Sequence, residues 1–133
     1  MSPCTTARTV LVTGAAGGIG SGLVVALAAA GWAVLGSDHP EAMPDPSTLQ
    51  HCLRWIPADL AALSRQPDHL EAFKTAVLAA TAGRVLMAIV HNAALQRLGS
   101  FEQLTSMDWH ETLDVNLMAP VAISRALLPQ LQR

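Results

Sequence analysis

The chain has no tyrosine, one lysine (Lys74), two cysteines and few charges. Without a tyrosine, no phenol is present to serve as an acid or a base. Cys4 and Cys52 are too few for a disulfide framework and no Cys-x-x-Cys occurs, so reduced thiols in a cytoplasmic protein are expected. Charged residues make up 14% of the chain, against about a quarter in an ordinary domain. The seven arginines are scattered and the net charge is −2, which leaves no electrostatic footprint for nucleic acid or an anionic membrane. So little charge beside 51% hydrophobic residues implies apolar surface that a partner or further chain must cover. The start, MSPCTTART, lacks the basic segment and apolar block of a secretory signal. At 133 residues the chain is one domain, large enough for its own core.

No charge occurs between Thr9 and Ser37. That length reaches a membrane span, but seven glycines interrupt it and its pattern changes three times. Residues 9–13 (TVLVT) read as a buried strand. From Ile19 the spacing turns helical, with Ile19, Leu23, Ala26, Leu27 and Ala30 on one face and Gly31 as the stop. Residues 32–37 (WAVLGS) form a second strand, and residues 38–47, with three prolines, a loop. A third strand is expected at 53–56. Pro67 opens a helix with Asp68 and Glu71 near its positive end and Leu70, Phe73, Val77 and Ala80 on its apolar face, ended by Gly83. Residues 85–91 (VLMAIVH) are apolar throughout, as in a strand buried in a parallel sheet. Thr105 and Asp108 have the spacing of a capping box for a last helix running through Trp109, Leu113 and Leu117 toward Leu128, with Trp109 in the core. This order of elements predicts a mostly parallel sheet with helices on its faces.

A strand, a glycine turn and a helix in succession suit a pyrophosphate, because the helix start presents free N–H groups and a partial positive charge. Gly14 would make the turn, Gly18 would admit the phosphates and Gly20 would let helix and strand pack closely. Asp38 lies 18 residues beyond Gly20 at the end of the second strand, placed to accept hydrogen bonds from ribose hydroxyls and to repel a 2′-phosphate. Pro120 lacks the N–H that would bond the Asn116 carbonyl, so a kink is expected there, with a freed carbonyl able to hold water. His110-Glu111-x-x-Asp114 lacks the second histidine of a zinc helix, and no metal site is expected.

With these residues the chain resembles the short-chain dehydrogenase/reductase family over nearly its whole length. Thr13-Gly14-Ala-Ala-Gly-Gly18-Ile19-Gly20 is similar to that family's TGxxxGxG motif, and His91-Asn92-Ala93-Ala94 stands where Asn-Asn-Ala-Gly is usual. Asp59 matches the aspartate that contacts the adenine amino group, and Asp108-Trp109 with Asp114-Val115-Asn116-Leu117 matches the helix leading to a catalytic asparagine. Two features depart from the pattern. His91 and Ala94 replace the first Asn and final Gly, and Gly14, Gly17 and Gly20 also fit the TGxxGxxG of the extended, sugar-epimerase-like branch.

The resemblance implies a Rossmann-like α/β fold, a doubly wound parallel sheet truncated after about four strands, with residues 1–133 as a single, incomplete NAD(P)-binding domain. It implies cofactor contacts from Thr13, Gly14, Gly18, Ile19, Gly20, Asp38, Asp59, Asn92, Ala93 and Ala94, and a catalytic Asn116 whose carbonyl holds a relay water. NAD is expected over NADP from Asp38 and from Gly17, where NADP users often carry a basic residue. The substrate of the parent enzyme is a small alcohol or carbonyl. The family's proton donor is a tyrosine with a lysine four residues later, and no such pair is present. The chain alone is therefore expected to be inactive, either as part of an oxidoreductase or as a non-catalytic dinucleotide-binding or interaction module. Self-association through the outer edge of the fourth strand is also expected.

Overall fold

The computed structural model describes residues 8–132. Cys4 and the rest of the expected signal-free start lie outside them. Strands β1 (Arg8–Thr13), β2 (Ala33–Ser37), β3 (Cys52–Trp55) and β4 (Val85–Val90) form one parallel sheet in the order β3-β2-β1-β4. Helices α1 (Gly18–Ala29) and α2 (Pro46–His51) precede β3; α3 (Leu60–Arg65) and α4 (Pro67–Ala80) follow it; α5 (Ser106–Leu113) and α6 (Ala119–Leu131) come after β4.

Alternation along the strands divides the core in two. Val10, Val12 and Val34 face α1 and pack with Ala15 and Val24. Leu11 and Leu35 face the other way, onto Leu63 of α3, Phe73 and Val77 of α4, and Ile123 and Leu127 of α6. Both sides of β1 are thus covered, which is why TVLVT is apolar at every position but its ends. This is the doubly wound Rossmann-like arrangement that the resemblance implies.

Several local expectations are corrected. The buried face of α1 is Gly20, Leu23, Val24, Leu27 and Ala28; Ile19 is 76% exposed, and Ala26 and Ala30 face solvent. Contact of Gly20 with the turn before it sets the rotation of this helix, overriding the larger Ile19. Residues 46 and 47, read as loop, begin α2, with Pro46 in the first turn, where no N–H is needed. Helix α3 is additional to the expected elements. β3 starts and ends one residue earlier than expected, and β4 stops before His91.

β4 is less buried than its composition implies: among the described residues it pairs with β1 alone, and Met87 is 52% exposed. Trp109 is 45% exposed and leans on Phe101, ring centres 6.3 Å apart, outside the core. α5 buries none of its residues. Its capping box forms as the spacing implies, Thr105 accepting from the Asp108 N–H at 3.2 Å and Asp108 accepting from the Thr105 N–H at 2.8 Å. Hydrogen bonds from the Thr105 hydroxyl and N–H hold the Asp108 carboxyl below its ordinary pKa. At Asn116 a π-helical turn, Asp114–Met118, joins α5 to α6, with the Ala119 N–H on the Asp114 carbonyl. The wider turn absorbs the missing Pro120 N–H. Among the described residues no helix is long and apolar enough to cross a membrane.

Candidate functional site

The strand order reverses at β1, with β2 on one side and β4 on the other. In parallel sheets the crevice at the carboxyl ends beside such a reversal is left open. Here it is a cavity of about 240 Å³ whose wall takes residues from beyond all four strands: Thr13 and Gly14, Asp38 and His39, Asp59, and the segment Ala93, Ala94 and Leu95.

The turn after β1 is built from two close backbone approaches. Gly14 has φ +66°, and a Cβ there would lie 2.7 Å from the Ala93 Cα. A Cβ on Gly20 would lie 1.9 Å from the Gly14 carbonyl oxygen, so α1 sits directly against the turn. Gly18 is different: a Cβ there meets no atom within 4 Å and its φ is not positive. It opens α1, whose first turn has neither a side-chain cap nor an acidic residue, leaving its N–H groups facing outward. Ile19, the next residue of the helix, is exposed.

The segment after β4 is clipped onto this turn. Asn92 Nδ2 donates to the carbonyls of Thr13 (3.2 Å) and Gly14 (3.1 Å), while Thr13 Oγ1 accepts from the Ala93 N–H at 3.2 Å. Asn116, in the π-helical turn, holds the far end of the segment. Its Oδ1 accepts from the Leu95 N–H at 2.7 Å, and its Nδ2 donates to the Leu95 carbonyl at 2.9 Å. The Asn116 side chain is therefore committed to positioning Leu95, and only its main-chain carbonyl is left for the expected water. His91, just outside β4, pairs Nε2 with Ser124 Oγ at 2.9 Å, and burial pushes its pKa below the ordinary value.

The two aspartates follow the neighbouring strands β2 and β3 and line the same side of the cleft, where the Asp38 carbonyl accepts from the Ala58 N–H at 2.8 Å. Asp38 Oδ2 accepts from the Ala16 N–H at 2.8 Å and Oδ1 from the His39 N–H at 2.7 Å, tying the end of β2 to the glycine turn. Asp59 Oδ1 caps α3 through the N–H groups of Ala61 (3.0 Å) and Ala62 (3.2 Å). Its other oxygen, Oδ2, is 3.8 Å from His39 Nε2.

The structure thus gathers Thr13, Gly14, Asp38, Asp59, Ala93 and Ala94 around one cavity. Gly18, Ile19, Gly20, Asn92 and Asn116 do not line it: Gly20 and Asn92 pack against Gly14, Asn116 holds Leu95, and Gly18 and Ile19 stand at the exposed start of α1. Sequence reasoning missed Ser37, His39, Ala58, Leu60, Leu95 and Val115 in the wall. His39 and Leu95 directly follow residues that the motifs marked. Val115 reaches the cavity from the π-helical turn, which nothing in the sequence announces.

A family model described as short chain dehydrogenase matches residues 8–133. The short-chain dehydrogenase/reductase olcF of Penicillium canescens is 29% identical over 127 residues, covering 94% of this chain and 46% of that protein. A short chain dehydrogenase from Burkholderia cenocepacia, solved with NADP, is 30% identical with a TM-score of 0.76 over 95% of this chain and 51% of that one. The NADPH-bound carbonyl reductase from chicken fatty liver is 26% identical with a TM-score of 0.74, over 93% and 51% respectively. The chain spans about half the length of the relatives it matches.

Proposed function

The chain belongs to the short-chain dehydrogenase family, and on that premise we propose that its cleft holds the adenosine and pyrophosphate part of a nicotinamide dinucleotide for an NAD(P)-dependent oxidoreductase. The observation that carries this reading is the uncapped start of α1, standing on the Gly14–Gly20 contact beside a cavity at the strand reversal. Gly18 and Ile19 would offer N–H groups to the pyrophosphate. Thr13, Asn92, Ala93 and Ala94 would shape the wall beside it. When bound, the nicotinamide supplies or accepts a hydride, and the substrate of the whole enzyme would be a small alcohol or carbonyl. Asn116 would fix Leu95 and could hold a water at its carbonyl. A cytoplasmic location is proposed from the cysteine usage alone.

NAD is proposed over NADP. A carboxylate has about four lone-pair sites, so Asp38 retains capacity for ribose hydroxyls beside its two N–H contacts. A 2′-phosphate would meet that negative charge, although a protonated His39 would soften the repulsion. The Burkholderia and chicken relatives carry NADP and NADPH, so the preference rests on Asp38 and Gly17. Isothermal titration should give tighter binding of NAD than of NADP, and Asp38→Asn should narrow the gap while keeping an acceptor for the Ala16 N–H. Equal or tighter NADP binding by the unaltered chain rejects the preference.

Asp59 is proposed to accept from the adenine amino group through Oδ2, since Oδ1 is engaged at α3. Asp59→Ala should weaken NAD binding about tenfold, the effect of losing a hydrogen bond to a charged group. It should also cost about 1 kcal/mol of stability through the lost cap. Destabilisation with unchanged affinity would reduce Asp59 to the cap of α3.

A second reading is a dinucleotide-binding module without catalysis. Titration followed by a turnover assay separates the two.

A further inference from the structure

Ser37 ends β2 at 1% exposure, and its Oγ is buried with no hydrogen-bond partner among the described residues. Two other buried side-chain oxygens are unpaired, Thr9 Oγ1 and Gln130 Oε1, but of the three residues only Ser37 lines the cleft. Burying a hydroxyl without a partner is unfavourable, and such groups in native folds call for an explanation.

The neighbouring polar groups do not supply a partner. Thr13, opposite Ser37 in the sheet register, has its hydroxyl between the Ala93 N–H and the Val90 carbonyl. The Asp38 carboxylate accepts from the Ala16 and His39 N–H groups and makes no hydrogen bond with the Ser37 hydroxyl. The Ser37 carbonyl accepts from the Ala15 N–H at 3.0 Å, so its backbone is fixed while its hydroxyl is not. By alternation the side chain stands on the sheet face of Leu35, toward α3, where Ala58, Asp59 and Leu60 form the facing wall of the cleft.

We propose that Ser37 is a binding residue of this cleft, its hydroxyl rotating about the Cα–Cβ bond to hydrogen-bond the adenosine moiety of the dinucleotide. The inference rests on the dinucleotide reading above. Rotation between staggered wells is a small change for serine, and the hydroxyl both donates and accepts, as adenosine does. The desolvation of this oxygen is already present in the unliganded protein. A ligand that pairs with it therefore gains a hydrogen bond without burying that group anew.

The signature is a split between stability and affinity. Ser37→Ala removes an unpaired group from the free protein, so its melting temperature should equal or exceed that of the unaltered chain. In isothermal titration the same variant should bind NAD and AMP about threefold to tenfold more weakly, the loss falling equally on both ligands. Unchanged affinity for both, or a lower melting temperature of the free variant, overturns the assignment. A loss confined to NAD, with AMP unaffected, also overturns it by moving the contact away from adenosine. If the unaltered chain binds neither NAD nor AMP, the dinucleotide reading itself fails and this assignment with it.

Discussion

Replacing Gly20 by alanine is expected to unseat α1 and abolish NAD binding. The added Cβ would lie 1.9 Å from the Gly14 carbonyl oxygen, 2.7 Å from its carbon and 2.8 Å from Asn92 Nδ2. The first two are backbone atoms in a turn held by Asn92 and Thr13, so they cannot rotate aside. Helix and strand must separate, which exposes Val24 and breaks the Asn92 clip. Overpacking by one carbon typically costs about 1–3 kcal/mol, and the upper end is expected where the obstacle is backbone. That is a large part of the roughly 5–15 kcal/mol that holds a domain together.

Gly18→Ala is the control, because its Cβ meets nothing and alanine is the better helix former by about 1 kcal/mol. It should melt no lower than the unaltered chain. A loss of NAD affinity in it would then report a ligand at Gly18, since no protein contact is disturbed. Thermal melts and titration of both variants check the pair. A Gly20→Ala chain that melts and binds like the parent would show that the turn yields where its clips say it cannot.

These two glycines also show how far the sequence could be read. Strand, turn and helix were legible because β1 is apolar on both faces and is closed by Gly14. The rotation of α1 was not, because hydrophobicity favours Ile19 while backbone contact selects Gly20. Helix α3 spans six residues, too few for a periodic signal, and the aspartate marked for adenine proves also to be its cap. The missing Pro120 N–H was legible as a disturbance, but that the helix answers it with a π-helical turn is seen only in the fold. Asn116 and Leu95 are 21 residues apart, and only the fold reveals that one side chain satisfies both main-chain groups of the other. Ser37 looked unremarkable until its missing partner could be seen. The wall of the cleft was therefore readable where a motif demands a residue type, and unreadable where tertiary contact does.

The 133-residue chain, supplied with NAD and common alcohols, is expected to form no NADH. Reduction or oxidation at a carbonyl carbon needs an acid or base at the substrate oxygen, and losing a positioned one costs about a hundredfold to ten-thousandfold. The resemblance assigns that role to a tyrosine, and none is present. The single lysine, Lys74, sits on α4 in an ion pair with Glu71. The ionisable groups in the cavity wall, Asp38, His39 and Asp59, belong to the proposed adenosine end, away from a transferred hydride. The reading proposed above assigns no residue of this chain to the substrate, so the contribution of proximity is expected to be missing as well. β4 adds to the expectation, since its outer edge is unpaired among the described residues and carries the exposed Met87. Such an edge favours pairing with another chain, and size-exclusion chromatography should show oligomers. The decisive measurement is NADH absorbance across a panel of alcohols, repeated with Gly20→Ala. Saturable NADH formation by the unaltered chain that disappears in this variant would place a proton donor within these 133 residues, and the division between binding and catalysis proposed here would be wrong.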